Sequence, residues 1–401
     1  MKSVWISLCS AGIGGAERRA LKLTIFLARE TNYSVNLIVN RNLLSFFKND
    51  VQVNEAIDNK EFNIFIAEDF TSKKINYKHF FGILKKLDGK HNFLIRIPYL
   101  YKVLLRYFSY DSLFSKLPIQ QNDIVHCFGT DAVRLGLLLN NTLVNNKVVI
   151  ELVGNKFLSR FSNHLKVIGV ENENIVFKAV SQTVLENFNS YLERDQIKLN
   201  NEVSEWDGPF IYFFNTDVSH IKKENVIVFA SRFNPPKNPI LFSEVIKELF
   251  DNNALDNWKV IIRGRGALET QIKEILREYI KNKKVDVGFS GELYKDFAVS
   301  KVVVSLIETG NYPSQSLFEA MSYGVIPIIS NTGNSFEKYN NDGVIFCDLD
   351  KIDLKEKLSE LTIKIEKEGG FYNETSNKIE VVSKGLTVSS NYINQLNELY
   401  E

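Results

Sequence analysis

Residues 311–327 read NYPSQSLFEAMSYGVIP, a polar loop that opens a helix and then passes into an apolar run. The Ser314, Gln315 and Ser316 side chains gather with backbone N–H groups at the helix start. Unpaired amides and the helix dipole favour an anion there, and phosphate is the natural one. Glu319 follows Ser316 by one turn, so its carboxylate lies near the same end and can accept hydrogen bonds from a pair of sugar hydroxyls. Phosphate and sugar hydroxyls together describe a nucleotide sugar.

Three more groups suit that ligand. In Ser231-Arg232-Phe233-Asn234-Pro235-Pro236-Lys237-Asn238, two cations frame a proline-stiffened loop after a strand, the end at which open sheets bind ligands. Arg232 and Lys237 can clamp a diphosphate and stabilise its departure, or stand as two solvated surface cations. Gly264-Arg265-Gly266 follows another strand, as a close-approach turn or a plain one. Gly12-Ile13-Gly14-Gly15-Ala16-Glu17 lies between a strand and a helix, where glycine admits either a ligand or tight packing. A dinucleotide fingerprint would need glycine at Glu17 and an acid closing the second strand, where Val39 and Asn40 stand, so a nicotinamide or flavin enzyme is disfavoured.

The elements that must hold these groups alternate strand and helix. Short apolar runs predict strands at Val4–Cys9, Val35–Val39, Ile64–Ala67, Asp123–Phe128, Val148–Val153 and Val176–Val180. Helical rhythm fills Ala16–Arg29, Ala132–Leu139 and Gln182–Leu192. A second series begins at Asn225, with strands at 225–231, 258–263, 285–290, 301–306 and 326–330 and helices at Pro239–Phe250 and Ala267–Tyr279. Pro239 suits a first helical turn. Ser204–Glu224 lacks rhythm and marks a boundary. The division is a first lobe over 1–205, a second over 206–384, and a closing helix over 385–401, each lobe doubly wound α/β.

A chain of 401 residues suits two lobes. Its 44% hydrophobic and 24% charged residues with a net charge of +1 mark an ordinary globular protein with no global pull toward nucleic acid. Cys9, Cys127 and Cys347 are an odd set without metal-ligand spacing and read as reduced core residues, which fits the cytoplasm. No segment is long and apolar enough to cross a bilayer, since 93–114 is interrupted by Arg96, Pro98, Lys102 and Arg106. The amino terminus reads as a first strand in preference to a weak signal peptide. Residues 73–116 interleave lysines and arginines with tyrosines and phenylalanines. They suit peripheral association with an anionic membrane, or an ordinary helix pair with its rings packed inward.

GIGGAE, DIVH at 123–126, AVS at 179–181, SRFNPPKN, RGRG, FSGEL at 289–293 and SLFEAMSYGVIPIIS follow one another in the order and spacing of a known family. The chain resembles the retaining glycosyltransferases of the GT-B fold, family 4 (group 1), more specifically in the second lobe than in the first. The resemblance implies two Rossmann-like domains facing a central cleft, with sugar passing from a nucleotide-diphosphate sugar, UDP-sugar foremost, to a saccharide acceptor. It needs no cofactor. Arg232 and Lys237 would bind the diphosphate, Ser316 and Leu317 bring amides to phosphate, and Glu319 hold the ribose hydroxyls. Gly14 and Gly15 would face the donor across the cleft, and Gly264 and Gly266 would border it.

Some positions depart from the family. Its pattern pairs two glutamates with seven residues between, and Asn311 stands at the first; either Glu308, three residues earlier, replaces it, or Asn311 keeps an uncharged hydrogen bond to the sugar. His126 is the nearest counterpart of a first-lobe histidine close to the transferring sugar, or else a satisfied structural residue. Relatives often have His-Gly where Val153-Gly154 occurs. Asp348-Leu349-Asp350 resembles the acidic loop before a late helix, so no metal is expected. A lipid-linked acceptor, as in bacterial capsule, O-antigen or lipopolysaccharide assembly at the inner face of the cell membrane, would suit the aromatic-basic region. The alternatives are a nucleotide-sugar epimerase of the same fold and a catalytically silent nucleotide-sugar-binding homologue.

Overall fold

A computed structural model describes residues 2–8, 15–48, 51–70, 116–128, 146–153, 174–199, 203–206, 221–312, 314–339, 343–387 and 390–401. The first sheet comprises β1 (Ser3–Leu8), β2 (Ser34–Val39), β3 (Asn63–Ile66), β4 (Ile124–Phe128), β5 (Lys147–Leu152), β6 (Ile175–Ala179) and β7 (Val203–Glu205). They lie in the order β3-β2-β1-β4-β5-β6-β7, every pair parallel. The second sheet comprises β8 (Val226–Ala230), β9 (Lys259–Arg263), β10 (Val285–Gly288), β11 (Val302–Ser305), β12 (Ile326–Ser330) and β13 (Ile345–Cys347), ordered β10-β9-β8-β11-β12-β13 and again parallel. Two doubly wound lobes, as expected, give the GT-B architecture.

Parallel strands covered on both faces explain the near-continuous apolar runs. In β8, Ile227 and Phe229 enter one core layer with Phe242, Leu249 and Leu358, while Val228 enters the opposite layer with Phe318, Met321 and Tyr339. Residues 302–304 alternate in the same way, the period of two that a strand imposes. The long helix Ser390–Tyr400 returns to the first lobe: Tyr392, Leu396, Leu399 and Tyr400 belong to its core, and Lys2 Nζ donates to the Tyr400 and Glu401 carbonyl oxygens at 2.6 and 2.7 Å.

Local differences from the expected elements have physical reasons. The 267–279 helix is two shorter ones, Glu269–Ile275 and Arg277–Lys281, meeting at the fully buried Leu276. Val203–Glu205 pairs with β6 and overlaps the start of the Ser204–Glu224 boundary; three half-buried residues leave no apolar run to read. Cys127 and Cys347 are buried. Cys9, the Ala132–Leu139 helix, Gly14, Gly154 and nearly all of the 73–116 region lie outside the described residues. Among those described, no helix is long and apolar enough to cross a membrane.

Candidate functional site

Strand order reverses between β1 and β4 in the first sheet and between β8 and β11 in the second. A ligand crevice opens beyond the carboxyl ends of strands at such switch points. In the second lobe the loops leaving β8 and β11 carry Arg232, Lys237, Glu308 and Asn311, and helix Gln315–Ser322 starts there. Chain order and sheet order together gather these scattered residues.

The β8 loop is tightly built. Pro235–Lys237 forms a 3-10 turn, and Asn238 takes a left-handed conformation (φ 49°) before Pro239 begins the next helix. Phe233 N donates to Arg265 O at 2.9 Å. A β-carbon on Gly264 would lie 1.9 Å from Ser231 O, and one on Gly266 would lie 2.2 Å from Phe233 O. The RGRG glycines therefore meet the Ser231–Phe233 backbone, and their lack of side chains seats the loop that carries Arg232. This answers the choice between a close-approach turn and a plain one: the approach is to protein backbone.

Arg232 is exposed and Lys237 half-buried. Burial, with Arg232 adding repulsion, pushes the Lys237 ammonium down to about 8. A cation so destabilised gains by meeting an anion. Glu308 N donates to Pro236 O at 3.1 Å, joining the β11 loop to this one, and the Glu308 side chain is exposed. Asn311 is 1% exposed. Its Nδ2 donates to Ser330 O and Oγ at 3.0 and 2.8 Å, its N–H donates to Ser335 Oγ at 2.7 Å, and its carbonyl accepts from Tyr339 Oη at 3.1 Å. Asn311 thus pins the loop beneath the helix start.

Helix Gln315–Ser322 has Ser314 at its N-cap with no side-chain cap bond, so the first-turn amides are not claimed by that hydroxyl. Ser316 Oγ donates to Ala230 O at 2.9 Å, fixing the helix start against the end of β8, and the Leu317 side chain is buried beneath it. Across the cleft, Gly15 begins helix Gly15–Glu30, and a β-carbon there would stand 3.8 Å from Gln315 Cγ. Two helix amino termini from opposite lobes therefore meet. Lys22 Nζ donates to Glu319 Oε1 at 2.9 Å. Burial alone would raise the Glu319 pKa, but Lys22 and then Arg18 outweigh it and hold the carboxyl below its usual range. Sequence reasoning missed this cation; its position seven residues after Gly15 on one helix face was the available signal.

His126 is fully buried. Nδ1 lies 2.7 Å from Tyr400 Oη and Nε2 lies 3.3 Å from Glu151 Oε2, while Glu151 also pairs with Arg19. Burial lowers the His126 pKa and keeps the ring neutral, so Nε2–H donates to the carboxylate and Nδ1 accepts from the tyrosine. Of the two readings of His126, this is the structural one. Neither Glu151, a lone acid in an apolar strand run, nor Arg19, one of three consecutive charged residues at the start of a helix, signals this pairing in the sequence. Asp350 caps helix Lys351–Lys367 by accepting from Ile352 N and Asp353 N, and Asp348 N donates to Asp353 Oδ2. Among the described residues no group of three or more His, Cys, Asp or Glu side chains could hold a metal ion.

Residues 214–378 match the model of the family described as glycosyl transferases group 1. A curated relative from Campylobacter jejuni, GalNAc-alpha-(1->4)-GalNAc-alpha-(1->3)-diNAcBac-PP-undecaprenol alpha-1,4-N-acetyl-D-galactosaminyltransferase, is 30% identical over 178 residues, 43% of this chain and 46% of the relative. The chain thus matches less than half the length of that relative. A glycosyltransferase from Rickettsia africae superposes with TM-score 0.65 at 13% identity, over 100% of this chain and 97% of that one. HepE of Anabaena, in complex with UDP and glucose, superposes with TM-score 0.62 at 12% identity over 99% of both chains. The protein is therefore a GT-B fold chain whose second lobe matches the group 1 glycosyl transferases.

Proposed function

We propose that the protein is a retaining, metal-independent glycosyltransferase that moves a sugar from a UDP-sugar to a saccharide acceptor. The observation that carries this reading is the meeting of two helix amino termini at Gly15 and Gln315, with Ser316 bonded to the end of β8, whose loop carries Arg232 and a Lys237 pushed down to about 8. That point collects the positive ends of two dipoles and two cations, and a diphosphate neutralises all of them. Arg232 and Lys237 hold the leaving diphosphate and stabilise its growing charge. Glu319 accepts from ribose hydroxyls with the oxygen that Lys22 leaves open. Glu308, exposed on the loop tied to Pro236, supplies the carboxylate toward the donor sugar, while Asn311 holds the loop in place.

Retention of configuration follows from the family resemblance, with the incoming hydroxyl losing its proton to the departing diphosphate on the same face. The match to a transferase whose name specifies a polyprenyl-diphosphate-linked glycan supports a lipid-linked acceptor of the surface-polysaccharide kind, reached from the inner face of the membrane. A screen of nucleotide sugars that follows release of nucleoside diphosphate, with and without saccharide acceptors, tests the reading. Acceptor-dependent release of UDP supports it. Turnover of the donor without any acceptor favours an epimerase, and tight UDP binding with no turnover against a broad acceptor panel favours a silent homologue.

A further inference from the structure

Helices Gly15–Glu30 and Gln315–Ser322 come from different lobes and share no connecting loop, yet start at one point and stay in contact along their first turns. Two positive helix ends brought together repel, so the arrangement needs an attraction of its own before any anion arrives. The Lys22–Glu319 pair supplies it: Nζ to Oε1 is 2.9 Å, with the side chains 10% and 18% exposed. Two other side-chain contacts between the lobes, among the described residues, are weaker. Lys338 and Glu205 stand 3.7 Å apart with more solvent around them, and Phe46 meets Phe289 edge to face beneath the exposed Arg265.

We propose that Lys22 is a positioning residue whose ion pair with Glu319 clamps the two helices so that both amino termini address the same diphosphate. The proposal rests on the donor site described above. Helix-end charge fades within a turn, so a lateral shift of a few ångströms would remove one helix from the phosphate. A carboxylate has about four acceptor positions, so Lys22 on Oε1 leaves Glu319 able to take hydroxyls as well. The pair therefore works with the donor and persists during turnover.

The test compares Lys22→Met and Lys22→Arg with the unaltered chain. In small-angle scattering without ligand, K22M gives a larger radius of gyration and K22R does not. In steady-state transfer, K22M lowers kcat/KM by about ten-fold and weakens UDP binding along with it, while its melting temperature is retained; K22R restores both. The loss is below that of a fully buried pair because both side chains keep some solvent. Unchanged scattering for K22M, equal failure of K22R, or a turnover loss that tracks a fall in melting temperature would overturn the clamp. The scattering arm needs no nucleotide, so its failure overturns the clamp alone, whereas an unaltered chain that binds no UDP overturns the donor-site reading.

Discussion

The proposed place of Lys237 on the diphosphate makes UDP binding sensitive to pH. The Lys237 ammonium titrates at about 8 in the free protein, against an ordinary 10.5, because burial and Arg232 both disfavour the charge. A bound diphosphate places negative charge beside it and returns the pKa toward the ordinary value, so binding takes up a proton wherever free Lys237 is neutral. Affinity is complete well below pH 8 and declines as pH rises through it. If the bound pKa is restored in full, the dissociation constant for UDP rises about eight-fold between pH 7.5 and 9, and binding at pH 8 takes up about half a proton. Isothermal titration in buffers of different ionisation enthalpy reads both quantities. Lys237→Arg keeps a charge that does not titrate in this range, so it binds with a flat profile and without that uptake. A pH-independent constant for the unaltered chain, or the same slope in K237R, would refute the placement of Lys237 on the diphosphate.

Three other outcomes follow from the geometry. Gly264→Ala forces a methyl to within 1.9 Å of Ser231 O, so the β8 loop must move; a loss of about 1–3 kcal/mol in denaturant unfolding, with weakened UDP binding, is expected. Glu308→Gln lowers transfer by about a hundred-fold or more with UDP affinity retained, whereas Asn311→Ala shows chiefly as a lower melting temperature, because Asn311 bonds Ser330 inside the fold. Tyr400→Phe leaves buried His126 Nδ1 without its donor and costs about 1–3 kcal/mol in unfolding. His126 is held neutral below its ordinary 6.5, so the stability it contributes is present above pH 6.5 and lost as pH falls, when the unfolded chain takes the proton first. Thermal midpoints from pH 8 to 5 decline accordingly, and His126→Gln flattens the upper part of that decline.

Much of this was legible in the residues. Apolar runs such as VIVFA and IPIIS mark strands because parallel sheets bury both faces, and the helix at Gln315 is announced by its polar start. The closing helix was visible too, though not that Tyr400 reaches His126, 274 positions away. Contacts of that separation have no local signature. The same holds for Lys22 and Glu319, 297 apart, and for Arg19 and Glu151, 132 apart. The RGRG turn reads in sequence as a close approach or a plain turn, and its neighbour in the fold is the Ser231–Phe233 backbone; a glycine requirement in sequence shows that something is close, not what. The choice between Glu308 and Asn311 stays open in the sequence because spacing carries no burial; in the fold Asn311 is buried and bonded to Ser330 and Ser335, whereas Glu308 is exposed.

A crystal structure of the protein with UDP bound tests the central claim most directly. The diphosphate should lie where helices Gly15–Glu30 and Gln315–Ser322 begin, accepting from first-turn N–H groups at Ser316 and Leu317, with Arg232 and Lys237 within hydrogen-bond distance and the ribose on Glu319. A diphosphate found away from both helix starts, or held without either cation, would contradict the account.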